Sequence, residues 1–170
     1  MPTTANQIKG EAEKVKQVMG NDMSLKAFAD YIKRLGYELV FYNTPSGDAE
    51  LQRYGVQQLA EETSAFVYCG VAKIVFVDSN LPYGEKVRNL AHEIGHIVLN
   101  HVGLGDSYLR DSEQSEREAQ TFAYMMLDDT HDAKMRHKAV TAVILCVVTV
   151  IGVVVQIMRA NRAKGGDMNG

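Results

Sequence analysis

The chain has 170 residues, with 46% apolar and 23% charged side chains and a formal net charge of −3. That length accommodates one compact domain and an appendage, not two full domains. Acidic residues outnumber basic ones 20 to 12 over residues 1–133, and basic residues outnumber acidic ones 6 to 1 over 134–170. The body therefore lacks a basic stripe that could neutralise phosphates, which argues against direct nucleic-acid binding.

In chain order, residues from about Asn6 to Met19 are polar, helix-compatible and weakly periodic. Ser24 suits the N-cap of a helix with Leu25, Phe28, Ala29, Ile32 and Leu35 on one face, closed by Gly36. Tyr37 to Tyr42 reads as a strand, and Asn43 to Asp48 (NTPSGD) as a loop. Ala65 to Cys69 and Lys73 to Asp78 are two further strands, with Gly70 between them suggesting a hairpin. A helix from Glu85 to about Asn100 follows, with Val87, Leu90, Ile94, Ile97 and Val98 at helical spacing. Gly103 to Asp111 is polar and loop-like, and a helix over about Ser115 to Leu127 would bury Ala119, Phe122, Ala123 and Met126. Helices, a small sheet and two more helices make an α+β body over 1–133.

Residues 134–138 form a basic linker, and 139–158 (AVTAVILCVVTVIGVVVQIM) carry no charge. As a helix, such a run spans about 30 Å, the hydrocarbon thickness of a bilayer, so a C-terminal transmembrane helix is expected. Residues 159–170 are a short basic tail. Three basic residues flank the run on each side, so charge does not set its orientation. No apolar signal segment opens the sequence, and the expectation is a single-pass, tail-anchored protein with its body in the cytoplasm. The cysteines, Cys69 and Cys146, lack metal or redox spacing, and Cys69 reads as a small buried residue.

The chemistry lies in HEIGH, residues 92–96. His92 and His96 are one helical turn apart, so both imidazoles can reach one ion, and Glu93 is placed to touch a water on it. Two nitrogen ligands and a base on one rigid element is the arrangement that metal-assisted hydrolysis requires. A catalytic zinc usually takes a third protein ligand. His101, five residues past His96, reads as a helix-end residue pointing to another face, and His131 and His137 flank the apolar run. In the last helix Glu113 falls opposite the apolar face, while Glu116 and Glu118 flank that face on its two sides, and periodicity does not choose between them. Tyr68, Tyr83, Arg88 and Tyr108 are unranked candidates for an oxyanion donor.

HEIGH, followed 22 residues after its second histidine by Glu118-Ala119-x-x-Phe122-Ala123, resembles the ImmA/IrrE family of metallopeptidases. KIVFVDSNLPYGEKVRNLAHEIGH resembles it too, and the likeness covers roughly Ser24 to Leu127. The resemblance implies a small zincin-like fold, a Zn2+ cofactor, Glu93 as catalytic base, and Glu118 as the third metal ligand with His92 and His96. It further implies a protein substrate, a helix-turn-helix transcriptional repressor of a phage or mobile element. The chain lacks the proline that often follows this helix in the family, and many members have no membrane segment. The competing expectation is a non-catalytic, zinc-stabilised module that recruits a regulator to the membrane; an intact Glu93 speaks against it.

Overall fold

A computed structural model describes residues 3–102 and 113–128 of the chain. Thr4 opens helix α1 (Ala5–Val18) with a reciprocal capping box to Gln7, and Ile8, Ala12 and Val15 are its buried stripe. Helix α2 (Leu25–Arg34) starts at Ser24, whose hydroxyl accepts from the Ala27 amide, and ends at Gly36 with φ of 82°. Strand β1 (Glu38–Tyr42) follows.

The segment expected as a loop instead initiates a helix, α3 (Pro45–Tyr54). Thr44 caps it, Pro45 takes the first helical position, where a missing N–H costs nothing, and Asp48 sits in the positive first turn. Gly47 lets this turn lie directly on the Phe41 carbonyl, where a Cβ would overlap backbone atoms. A short helix α4 (Gln57–Glu62), not anticipated from the sequence, leads into β2 (Ala65–Cys69) and β3 (Lys73–Asp78).

The sheet has the order β1-β3-β2, with β1 parallel and β2 antiparallel to β3. Central β3 is buried on both faces, which explains its unbroken apolar run IVFV. Val75 and Val77 pack with α1, α2 and α5 (Tyr83–Val98), whereas Ile74 and Phe76 pack beneath α3 with Leu51 and Val56. Cys69 is a free, buried thiol.

Residues 113–128 form the last described helix, α6. Its Ala119, Phe122, Ala123 and Met126 are buried, as their spacing predicts. It lies close against α5 at Gly95, where an added methyl would come within 3.1 Å of Phe122 and 3.2 Å of Ala119. That close approach brings the α6 carboxylates to the histidines of α5. Among the described residues no helix is long and apolar enough to cross a membrane. The expected loop 103–111 and the segments 134–138, 139–158 and 159–170 lie outside the described residues.

Candidate metal centre

Helix α5 begins at Pro82 after the turn that leaves β3, and its Val87, Leu90, Ala91 and Ile94 are buried in the core. This registration leaves His92 partly exposed at a cavity and encloses Glu93 and His96, which are only 4% and 1% exposed. The cavity is about 270 Å3 and is bounded by α5, by β2 at Ala65 to Val67, and by Glu116 and Gln120 of α6. Arg88 lies at its wall one turn before His92.

Three ligand atoms converge there. His92 Nε2 and His96 Nε2 are 2.9 Å apart, His92 Nε2 is 3.2 Å from Glu116 Oε2, and His96 Nε2 is 3.3 Å from Glu116 Oε1. Zinc bonds of about 2.0–2.2 Å in a tetrahedron set neighbouring ligand atoms roughly 3.3 Å apart. The donor set and its spacing therefore fit one divalent ion, and His92, His96 and Glu116 form a metal-competent group. Glu93 lines the same cavity, with its Oε2 sealed from solvent.

Electrostatics favours the ligating forms of the rings. Burial lowers the pKa of His92, partly offset by Glu116. Burial, reinforced by the neighbouring His92, pushes His96 down to about 4 against the pull of Glu116. Both imidazoles are thus neutral near pH 7, and a neutral ring has the lone pair a metal needs.

Glu118, the carboxylate that the resemblance implies as third ligand, is placed elsewhere. Its Oε2 is 3.1 Å from His101 Nε2, and its Oε1 accepts from the Thr3 amide and from Gln114 Nε2. Two residues apart on a helix means about 200° of rotation, so Glu116 and Glu118 leave the seated face in different directions. The carboxylate beside the imidazole pair is that of Glu116. Burial on its own would raise the Glu118 carboxyl, but hydrogen bonds from Gln114, Thr3 and His101 outweigh it and hold the pKa at about 2.

His101 also departs from expectation. Asn100 adopts a left-handed φ of 57°, the His101 amide donates to the His96 carbonyl, and the Asn100 amide to that of Ile97. This Schellman-type ending reverses the chain and returns the His101 ring to His96. Extrapolating the helical phase past Leu99 misses it; the signal that could have found it is Asn100, a residue tolerant of the left-handed region.

Among the described candidate oxyanion donors, only Arg88 lines the cavity. Tyr68 is buried on the other face of the sheet against Tyr54, and the Tyr83 hydroxyl accepts from the Leu25 amide. Tyr108 lies outside the described residues.

A helix bearing His-Glu-x-x-His, faced by a glutamate from the next helix beside a small sheet, defines a metallopeptidase-type site. The family profile of peptidase family M78, described as an IrrE N-terminal-like domain, matches residues 32–139, more than half of the chain. The chain belongs to this family, in accord with the ImmA/IrrE resemblance. Searches of curated proteins and of solved structures return no match.

Proposed function

We propose that the protein is a zinc-dependent endopeptidase, with the ion held by His92, His96 and Glu116 and with Glu93 as general base. The observation that carries this reading is the convergence of two Nε2 atoms and a carboxylate within 3.3 Å of one another, beside a buried second carboxylate in a cavity. Zinc bound there brings Lewis acidity, enough to make a water molecule ionise near neutral pH. Glu93 takes the proton of the attacking water and delivers it to the leaving amide nitrogen as the C–N bond breaks. A structural metal site has no use for such a base, which favours catalysis over a binding module.

The cavity bears on the substrate. At about 270 Å3 it has room for a side chain or two, not for a folded surface. Beside it runs β2, at the end of the β1-β3-β2 sheet, so an extended segment of a protein can lie along that edge with its scissile bond toward His92. Following the family resemblance, the substrate is a helix-turn-helix transcriptional repressor, cut in an extended segment. The uncharged run 139–158 would tether the enzyme to a membrane.

Metal analysis and one base variant test the proposal. The purified chain should hold one zinc, and His92→Ala should lose it. Glu93→Gln should keep the zinc while cleavage of a co-expressed repressor, blocked by chelator in the parent, falls by at least about a thousandfold. A Glu93→Gln protein that cuts at the parent rate would refute the mechanism.

A further inference from the structure

Beyond the ligands, a continuous chain of contacts leads away from the metal-competent group. His96 Nδ1, the ring nitrogen not facing His92 and Glu116, is 3.3 Å from His101 Nδ1. His101 Nε2 is 3.1 Å from Glu118 Oε2, and Glu118 Oε1 receives the Thr3 amide at 2.9 Å and Gln114 Nε2 at 2.7 Å. The His101 and Glu118 side chains are only 10% and 7% exposed, so water does not replace these partners at little cost.

The direction of every link follows from its far end. An ionised carboxylate only accepts, so His101 must donate through Nε2. A neutral imidazole with its proton on Nε2 has an acceptor at Nδ1. His96 must then donate through Nδ1, which leaves the Nε2 lone pair for an ion held with His92 and Glu116; without that ion Glu116 Oε1, 3.3 Å away, accepts from Nε2–H and competes with this tautomer. With neutral rings this assignment satisfies the His96–His101 and His101–Glu118 contacts together.

We propose that His101 and Glu118 are positioning residues, a carboxylate–imidazole relay that fixes the tautomer and orientation of His96, with the N-terminal segment locking it through the Thr3 amide. The inference rests on the metal reading above. A ligating histidine ordinarily leans directly on a carboxylate or a carbonyl. Here one further imidazole is interposed, supplied by the left-handed turn at Asn100. It is also why Glu118 is buried although it stands apart from the metal-competent group. Thr3 and Thr4 act together: Thr4 caps α1 while the preceding amide, one residue earlier, is spent on Glu118.

The test uses the full chain in two states. In metal-free Glu116→Ala protein, where that carboxylate no longer faces Nε2, nitrogen NMR of the His96 ring should show the proton on Nδ1, and adding His101→Ala should shift it toward Nε2. This readout needs no metal, so it separates failure of the relay from failure of the zinc reading. In the zinc form, chelator competition should give an affinity loss of about 10- to 100-fold for His101→Ala and for Glu118→Gln. The double variant should lose little more than the worse single one, because the links act in series. Thr3→Pro, which removes the donating amide together with the Thr3 hydroxyl that also bonds Glu118, should give a smaller loss in the same direction and guards against a misfolded His101 variant. A His96 ring protonated on Nε2 in metal-free Glu116→Ala protein, or folded relay variants with parent zinc affinity, would overturn the relay. So would loss of the ion from Glu118→Gln with Glu116→Gln unaffected, which would exchange the roles of the two glutamates.

Discussion

His96 shows how much one side chain's surroundings decide. It is 1% exposed and its pKa is lowered to about 4, by burial first and by His92 second. In the metal-free protein the folded state therefore binds fewer protons than the unfolded state between about pH 6.5 and 4, and stability falls as pH drops through that window. The shift corresponds to a loss on the order of 3 kcal/mol. His92 shifts the same way. Glu118 acts in a separate window: its pKa is depressed to about 2, so its contribution is present above 4.5 and is lost as pH falls toward 2. Urea midpoints measured in chelator should decline from pH 6.5 to 4 in the parent, and His96→Asn should flatten that decline. An equal slope in both proteins would refute the assignment. At this scale the HExxH residues were legible because a four-residue spacing fixes a shared helix face. Glu116 and His101 were not, since the first needs the packing of α6 on α5 and the second a departure from helical phase at Asn100.

Between elements, the decisive contact is the crossing of α5 and α6. Gly95 lies between His92 and His96, and the absence of its Cβ lets Ala119 and Phe122 approach to van der Waals distance. Glu116 is three residues before Ala119, so any widening of the crossing withdraws its carboxylate from the imidazoles. Gly95→Leu should overpack the crossing and cost roughly 1–3 kcal/mol of stability. It should also weaken zinc binding by more than that loss alone explains, read as chelator-competition affinity on the folded fraction. Parent affinity in a destabilised Gly95→Leu protein would show that the crossing does not set the ligand geometry. Elements with a strong apolar period, α2, α5, α6 and the strands, were readable in advance. Helix α3 was not, because Thr44, Pro45 and Asp48 are equally turn formers and helix-start residues, and the docking of Gly47 on Phe41 chooses between the two.

For the whole molecule, the sequence resolves the kinds of most elements, α3 and α4 excepted, and not their arrangement. That β1 pairs in parallel with β3, while β2 takes the edge beside the cavity, follows from how α3 and α5 cover opposite faces, which no local pattern encodes. Charge and apolarity are partitioned differently, between an acidic body and a basic C-terminal stretch around 139–158. The expected tether makes a physical prediction independent of catalysis. The full chain should sediment with membranes and float with lipid vesicles, resisting salt and alkali, because about 20 uncharged residues suffice to span a bilayer. Val148 lies near the middle of the run, where an aspartate costs about 2.5–3.5 kcal/mol on insertion scales. Val148→Asp should therefore move a substantial fraction of the chain to the soluble phase, while its body, separated in sequence from the change, keeps parent zinc affinity. A parent chain released by salt or alkali would instead make the run an element of protein packing, and substrate encounter would then need no membrane.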